Sequence, residues 1–290
     1  MSPCFFIFGF GYTAIELARK LITQGFQVIG TSRRPDEHKK NNLDIKLIDF
    51  NLPGIEKYLS LATHLLICIP PASNSSDIVF IKYGDLIKKQ APYLQWMGYL
   101  SSTSVYGDHQ GNWVNEKSAC IPHTPTGIAR FKAEQAWLYF AQKNLLPLHI
   151  FRLSGIYGSG RNALTRLIQG KKQSIFKENQ VFSRIHVEDI VATLLASIQL
   201  PNPLSIYNVS DDEPAPSHVI DQYAATLLQR APLPLMIFSE AHLSPVEQDF
   251  YANNRRVSNV KIKKELQVIL KYPTYREGLT QIWRKDYAPK

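Results

Sequence analysis

The feature that most constrains this chain is a glycine-rich turn near its start, Gly9-Phe10-Gly11-Tyr12-Thr13-Ala14. The turn follows a continuous apolar run at residues 4–8, which is typical of a parallel strand buried on both faces. Apolar residues then recur at helical spacing over 12–24, Gly25 ends the helix, and residues 27–31 form the next strand. The segment therefore predicts one βαβ unit with a Gly-x-Gly-x-x-Ala turn between strand and helix.

Such a turn suits a pyrophosphate. A phosphate needs closely spaced backbone N–H donors, and only glycine lets a backbone approach it closely enough. Gly9 would form the tight turn, Gly11 would leave room for the pyrophosphate, and Ala14 would let the helix pack on the strand. Tyr12 and Thr13 begin the helix and complete this part of a predicted dinucleotide site. The alternative is a glycine-rich turn without a ligand.

The end of the second strand predicts which dinucleotide is bound. An acidic residue there would hold the ribose 2′-hydroxyl of NAD, but the chain continues as Thr31-Ser32-Arg33-Arg34. Arg33 and Arg34 could hold a 2′-phosphate, with Ser32 as a hydroxyl donor, because a guanidinium matches phosphate geometry. The sequence therefore favours NADP(H) over NAD(H), and two solvated surface arginines are the alternative. Asp49, at the end of a third strand, could reach the adenine amine or begin a turn.

Strands and helices continue to alternate along the chain. Further strands are predicted at 45–49, 64–69, 96–100 and 148–152, and helices at 78–89 and 129–143. This alternation, with several strands wholly apolar, predicts an α/β fold of the Rossmann type with a doubly wound parallel sheet. The residues that follow such strands share one ligand site, which includes Pro70 after the fourth strand.

The sequence changes character beyond about residue 155, where the elements become shorter and prolines cluster. We predict an NAD(P)-binding Rossmann domain over 1–155 and a smaller α/β substrate lobe over 156–290. Residues 206–209 are predicted to return to the sheet, and 217–230 to form a helix.

Bulk properties exclude several classes of protein. Hydrophobic residues make up 44% of the chain, and no run approaches the roughly 18 apolar residues that cross a bilayer. The first strand begins at Cys4, which leaves no room for a signal peptide, so we expect a cytoplasmic protein without membrane contact. The three cysteines show no metal-like pairing, and we expect no metal. The net charge of +9 would attract an anionic ligand, while no motif for nucleic acid is present.

Four later motifs, taken with the glycine turn, resemble the extended short-chain dehydrogenase/reductase family in its nucleotide-sugar epimerase/dehydratase branch. They are Ser101-Ser102-Thr103-Ser104-Val105-Tyr106-Gly107-Asp108, Arg152-Leu153-Ser154-Gly155-Ile156-Tyr157-Gly158, Arg184-Ile185-His186-Val187-Glu188-Asp189-Ile190 and Tyr207-Asn208-Val209-Ser210. The resemblance extends over nearly the whole chain and implies an NAD(P)-dependent enzyme.

Catalysis in that family depends on a Ser or Thr, and on a Tyr followed four positions later by a Lys. The lysine lowers the pKa of the phenol, which then exchanges a proton as hydride moves. The resemblance places Ser102 at the hydroxyl position, Thr126 at the tyrosine position and Arg130 at the lysine position. Threonine is far too weak an acid to replace the phenol, although Arg130 still supplies a cation beside the nicotinamide ribose. The chain closely resembles an atypical branch of the family that shares this departure.

Three other residues carry a group able to donate a proton: Tyr106, Tyr157 and His186. Tyr106 is our candidate for the catalytic acid, with aromatic packing as its alternative. Tyr157 and His186 are placed with the substrate, or else pack and hydrogen-bond structurally. The resemblance implies that Arg161 and Arg184 anchor an anionic substrate such as a diphosphate; solvated surface arginines are the alternative.

Two functions are therefore expected from the sequence. The first is an NADP-dependent reductase, epimerase or dehydratase that acts on a small or nucleotide-linked polar substrate with a non-standard acid. The second is a non-catalytic NADP(H) sensor. The resemblance also implies a homodimer formed through two helices of each subunit, one of them 129–143, although the same residues could face the sheet.

Overall fold

The computed structural model describes residues 3–37, 43–72 and 77–288. Its strands are β1 (Cys4–Phe8), β2 (Gln27–Ser32), β3 (Lys46–Asp49), β4 (His64–Ile67), β5 (Trp96–Ser102), β6 (Trp113–Val114), β7 (Leu148–Leu153), β8 (Gly155–Tyr157), β9 (Ser174–Phe176), β10 (Arg184–His186), β11 (Ile206–Val209), β12 (Leu235–Ile237) and β13 (Arg256–Val257). Its helices are α1 (Tyr12–Thr23), α2 (Glu56–Leu59), α3 (Ile78–Gln90), α4 (Pro125–Asn144), α5 (Ala163–Ile168), α6 (Val187–Gln199), α7 (Ser217–Leu227), α8 (Pro245–Tyr251), α9 (Val260–Glu265) and α10 (Tyr275–Asp286).

Seven strands form one sheet in the order β11-β7-β5-β4-β1-β2-β3. β1 lies between β2 and β4 and pairs with both in parallel, so that Phe8 is opposite Thr31 on one side and Ile67 on the other. The strand order reverses direction between β1 and β4, which is where a doubly wound sheet opens a ligand crevice. The predicted Rossmann-type sheet is confirmed, and β11 joins its edge as predicted.

Burial explains why the first strand has no polar residue. All five residues of β1 are buried, because helices cover both faces of a central parallel strand. Phe8 packs against Tyr83 of α3 with 5.2 Å between ring centroids, and Phe80 of α3 meets Trp137 of α4 at 4.9 Å. Trp137 is fully buried, so this side of α4 faces the core. The predicted homodimer stays a prediction.

The chain divides into two compact units, each built from separate segments. Unit 1 contains Met1–Ser102, Pro125–Arg152 and Val191–Tyr207; unit 2 contains Thr103–Thr124, Leu153–Ile190 and Asn208–Lys290. The chain passes from unit 1 to unit 2 between Arg152 and Leu153, and the division into domains 1–155 and 156–290 stays a prediction. Residues 103–124 belong to unit 2 and residues 191–207 to unit 1. Nothing in the composition of these segments indicates that assignment.

Two elements are longer than their predicted ranges. β5 extends to Ser102 rather than residue 100, so the strand includes the candidate catalytic serine. α4 begins at Pro125 rather than residue 129, because proline is compatible with the first turn of a helix, where its missing N–H is not needed. Thr126 therefore lies in the first turn of α4.

No helix within the described ranges is both long enough and apolar enough to cross a membrane.

We predict that buried His149 makes stability depend on pH. Its Nε2 accepts the N–H of Asn202 at 2.9 Å, its Nδ1 lies 3.3 Å from the carbonyl oxygen of Met97, and burial lowers its pKa to about 4. Between pH 6.5 and 4 the unfolded imidazole binds a proton that the folded one does not, so stability falls as the pH is lowered. This linkage amounts to on the order of 3 kcal/mol in all.

Urea unfolding at neutral pH and at about pH 5 measures this effect. His149→Gln can keep both hydrogen bonds without titrating, so its free energy of unfolding should fall less between the two conditions. Some dependence remains in the variant, because burial also lowers the pKa of His64 to about 4. Equal pH dependence in the two proteins would contradict the assignment.

Candidate functional site

The glycine turn after β1 has the geometry that its sequence predicts. Gly9 has φ +91°, in the left-handed region that favours glycine. A Cβ at Gly9 would lie 2.6 Å from Cγ1 of Ile69, so the turn packs tightly on the segment that follows β4. The N–H of Gly9 donates to Oγ1 of Thr31 at 3.0 Å, and the N–H of Phe10 donates to the carbonyl oxygen of Thr31 at 2.8 Å. Thr31, at the end of β2, thus fixes the turn.

Gly11 is different, because neither its backbone nor its surroundings require glycine. It caps α1 with φ −106° and ψ −161°, an extended conformation open to any residue, and a Cβ there would have no atom within 4 Å. Tyr12 and Thr13 follow as the first helical residues, Tyr12 half-buried and Thr13 buried. The first N–H groups of a helix have no acceptor within the helix. The residues present therefore fit a dinucleotide whose pyrophosphate occupies the open space above Gly11.

Two arginines follow β2, and a carboxylate pairs with one of them where a phosphate would bind. Oγ of Ser32 accepts the N–H of Arg34 at 3.0 Å, and the Arg34 guanidinium pairs with Glu37 at 3.0 Å. Arg33 and Arg34 are both exposed. Asp49 lies beside Ser32 on β3, and its Oδ1 accepts the N–H of Asn51 at 2.6 Å, as in a turn. The ion pair between Arg34 and Glu37 was not predicted from the sequence. It neutralises part of the positive charge that would attract a 2′-phosphate.

Two of the predicted catalytic residues lie in unit 1, one at the end of β5 and the other on α4 with a hydrogen bond to β5. Ser102 is the last residue of the strand and is half-buried. Arg130 is also half-buried, and its Nη1 donates to the carbonyl oxygen of Leu100 at 2.9 Å. Thr126 is exposed on the first turn of α4, and Pro70 is exposed after β4. The strand end therefore brings a hydroxyl and a fixed cation together.

A buried ion pair sets this geometry. Glu134, one turn along α4 from Arg130, is fully buried and binds Arg152 of β7 with 2.8 Å between Oε2 and Nη2. The hydroxyl of Ser101, which precedes Ser102, donates to the other carboxylate oxygen of Glu134. These contacts tie α4 to β5 and β7, next to Ser102 in the chain.

Tyr106, the proposed acid, belongs to unit 2 and is fully buried. Its hydroxyl donates to Oδ1 of Asn208 at 2.7 Å. Tyr106 ends a 3-10 turn, Thr103–Tyr106, that follows Ser102 directly in the chain.

Unit 2 contains a cavity of about 680 Å³ lined by cations and aromatic rings. The cations in its wall are Arg161, Arg166, Lys171, Lys172 and Arg184. Among the described lining residues, Glu247 carries the one carboxylate. The cavity therefore suits an anionic ligand, and it contains Tyr157, Arg161 and Arg184 of the predicted substrate residues.

The polar residues of this cavity are held by contacts that the sequence did not reveal. Asp221 of α7 is fully buried and binds Nζ of Lys171 at 2.6 Å, Nη2 of Arg166 at 3.5 Å and the hydroxyl of Ser174. Nη1 of Arg184 donates to the carbonyl oxygens of Phe182 and Ala215, each at 2.8 Å. Asn162 could have been found, because a polar N-cap directly precedes the apolar run of α5.

Burial shifts the titratable groups around the cavity. It lowers the pKa of Arg184 to about 10, which leaves the guanidinium charged at neutral pH. It raises the pKa of the Tyr157 phenol, whose hydroxyl donates to the carbonyl oxygen of Thr274 at 3.3 Å. It lowers the pKa of His186 to about 4, so this imidazole is neutral and its Nδ1 accepts the N–H of Glu188 at 3.2 Å. His186 packs on the Tyr157 ring in an edge-on contact at 5.1 Å.

The loop after Tyr106 contains Asp108 and His109, which are used in backbone contacts. Oδ1 of Asp108 accepts the N–H groups of Gln110 and Asn254, and Nε2 of His109 lies near the carbonyl oxygens of Tyr106 and Ala119. In the part of the chain that the structure describes, no three His, Cys, Asp or Glu side chains group closely enough to hold a metal ion.

We predict that Gly278→Ala disrupts the cavity wall. A Cβ at Gly278 of α10 would lie 2.2 Å from the Tyr157 hydroxyl, so Tyr157 must move. Such overpacking costs about 1–3 kcal/mol, measured as the free energy of unfolding in urea. Gly84→Ala in α3 is the matched control, because its Cβ would meet only Phe140, at 4.0 Å. The control should be neutral or stabilise by up to about 1 kcal/mol, and equal effects at the two sites would refute the steric argument.

The chain is similar to several known proteins. The model of the NAD dependent epimerase/dehydratase family matches residues 88–210. Protein YeeZ of Escherichia coli (strain K12) is 28% identical over 239 residues, which cover 73% of this chain and 77% of that protein. A conserved protein of unknown function from Silicibacter pomeroyi DSS is 42% identical, with a TM-score of 0.91 over 99% of this chain and 100% of the other.

A further solved structure matches the fold. It is the dTDP-glucose 4,6-dehydratase of Bacillus anthracis str. Ames in complex with NAD, with 16% identity and a TM-score of 0.79 over 98% of this chain and 97% of that one. This likeness agrees with the doubly wound sheet and with the family match within the same chain. Residues 88–210 are similar to the NAD dependent epimerase/dehydratase family, and the fold of the chain is that of the nucleotide-sugar dehydratase.

Proposed function

We propose that this protein binds NADP(H), in preference to NAD(H), at the glycine turn of unit 1 and acts as an oxidoreductase of the epimerase/dehydratase type. The observation that carries the proposal is the contrast between the two glycines of the turn. Gly9 is required by the fold itself, whereas Gly11 has no structural reason to lack a side chain. A residue kept small beside open space at a helix N-terminus is explained by a ligand that approaches the backbone there.

The cofactor, when bound, supplies or accepts a hydride at its nicotinamide ring. Ser102, at the end of β5, is proposed to donate a hydrogen bond to the oxygen that gains negative charge on the substrate. Arg130, fixed by the carbonyl oxygen of Leu100, is proposed to hold the nicotinamide ribose. Arg33 and Arg34 supply the charge for a 2′-phosphate, and Asp49 and Pro70 complete the proposed cofactor site.

The substrate is proposed to be small or nucleotide-linked, polar and anionic. The cation-lined cavity of unit 2 supports this class, with Arg161 and Arg184 as anchors and Tyr157 and His186 in its wall or behind it. The dehydratase from Bacillus anthracis is named for a nucleotide-sugar substrate, which agrees with a nucleotide-linked ligand. Tyr106 remains the proposed acid, and because its hydroxyl is buried on Asn208 it needs a change of position to reach a substrate. We propose a cytoplasmic location.

A non-catalytic NADP(H) sensor is the second candidate. Thr126 is exposed where the family has its tyrosine, and the Tyr106 hydroxyl is already engaged by Asn208. Both observations favour a protein that holds the cofactor without turnover.

We predict opposite effects for the two glycines of the turn. Gly11→Ala should keep the free energy of unfolding within about 1 kcal/mol, because its methyl group enters open space. The same variant should bind NADPH more than about tenfold more weakly, because the methyl group meets the pyrophosphate. Gly9→Ala should lose roughly 1–3 kcal/mol of stability, from its φ and from Ile69.

Urea unfolding and a fluorescence titration with NADPH measure the two quantities. Gly84→Ala, far from the turn in sequence, is the control that should bind as the native protein does. If Gly11→Ala bound NADPH as tightly as the native protein, the proposed pyrophosphate position would be wrong.

The enzyme and the sensor differ in what happens to the bound cofactor. If the protein is an enzyme, a cell extract should oxidise the NADPH bound to the native protein. Ser102→Ala should slow that oxidation about 100-fold while NADPH still binds. Thr126→Ala is the matched control and should leave the rate unchanged. If no extract oxidised the bound cofactor, the sensor hypothesis would replace the enzyme hypothesis.

A further inference from the structure

A second polar cluster in unit 2 lies outside the lining of the cation-rich cavity. Its centre is Arg255, whose Nη1 donates to the carbonyl oxygen of Gly107 at 2.8 Å and whose Nη2 lies 3.5 Å from Oγ1 of Thr103. The guanidinium therefore spans the turn Thr103–Tyr106 from its first residue to the residue after its last. In the sequence Arg255 is one half of a basic pair to which neither proposed site gives a role.

The charge of Arg255 has no carboxylate to balance it. Among the described residues no carboxylate oxygen lies within 4.0 Å of its guanidinium, and its Nε is buried without a hydrogen-bond acceptor. Tyr106 and Asp108 act on it electrostatically, but the Tyr106 hydroxyl donates to Asn208 and Oδ1 of Asp108 accepts backbone N–H groups. Burial lowers the pKa of Arg255 to about 10, so the group is still charged at neutral pH. Arg255 is half-buried, and a guanidinium charge enclosed without a carboxylate beside it is costly, which makes a bound anion its expected complement.

A second unpaired donor borders the same turn. Asn208 is fully buried, and its Oδ1 accepts the hydroxyl of Tyr106, the last residue of the turn. Its backbone N–H donates to Oε1 of Glu116 at 2.8 Å, while its Nδ2 has no acceptor. Both orphaned groups, Nε of Arg255 and Nδ2 of Asn208, are donors. The group missing from this cluster is therefore an acceptor.

We propose that Arg255 binds a carboxylate group of the substrate against the turn Thr103–Tyr106, with Asn208 as a second donor. A carboxylate is small, planar and accepts two hydrogen bonds side by side, which matches the guanidinium fork. As a substrate contact this inference rests on the proposed function, but as a carboxylate site it stands without turnover. It predicts that the substrate is an acid and that Arg255 selects it.

The site is tested by NMR of the protein labelled with ¹⁵N in its arginines, which observes each Nε–H group directly. Acetate is the probe, added to the full-length protein against sodium chloride at equal ionic strength. One arginine Nε–H resonance should shift with acetate in a saturable way and should not shift with chloride. Arg255→Lys should remove that resonance, and Arg256→Lys, the neighbouring control, should leave both resonance and shift in place.

If Arg255→Lys does not fold, a nuclear Overhauser effect to the Thr103 methyl group assigns the resonance in the native protein. The inference is overturned if the Arg255 resonance does not respond to acetate, or responds equally to chloride, because the Nε–H is then satisfied by water or by any anion. Binding of NADPH, followed by fluorescence in the same sample, reports separately on the proposed function. If the Arg255 resonance does not respond to acetate but NADPH still binds, the carboxylate site is refuted and the proposed cofactor site is not.

Discussion

The buried ion pair between Glu134 and Arg152 is the interaction on which the arrangement of α4, β5 and β7 in unit 1 depends. Its side chains are 0% and 3% exposed, so the pair is worth forming only because both charges are hydrogen-bonded at close range. It joins α4 to β7, and the Ser101 hydroxyl adds β5. Removing one partner of such a pair typically costs about 3–5 kcal/mol, because the other charge is left buried. The positions of Ser102, next to Ser101, and of Arg130, one turn before Glu134, both follow from it.

The candidate sites of the two units differ in their chemistry. Unit 1 offers backbone donors, a hydroxyl and a fixed guanidinium at the ends of parallel strands, where a doubly wound sheet binds its ligands. Unit 2 offers a cavity in which Asp221 holds Lys171 and Arg166, and backbone carbonyl groups hold Arg184. Because Asp221 neutralises part of the charge of Lys171 and Arg166, the attraction for an anion is weaker than a count of cations suggests.

The fold could be predicted from the sequence wherever one segment carries a complete physical signal. β1 is apolar because it is buried on both faces, and Gly9 is glycine because its φ is positive and Ile69 lies against it. The discontinuous units could not be predicted, because no local pattern marks that 103–124 packs with the second half of the chain. The same limit applies to Arg255 and Asp221, whose partners lie about 50 to 150 positions away in the sequence. The burial of Tyr106 could not be predicted either, because the residue type alone does not distinguish a buried tyrosine from an exposed one.

The most direct test of the account is a fluorescence titration of the native protein with NADPH and with NADH. NADPH should bind at micromolar concentration and NADH more weakly, because Arg33 and Arg34 favour the 2′-phosphate even though Glu37 pairs with Arg34. Tighter binding of NADH would contradict the role given to the two arginines and leave the glycine turn intact. Binding of neither dinucleotide would contradict the central claim, that open space above Gly11 is kept for a pyrophosphate.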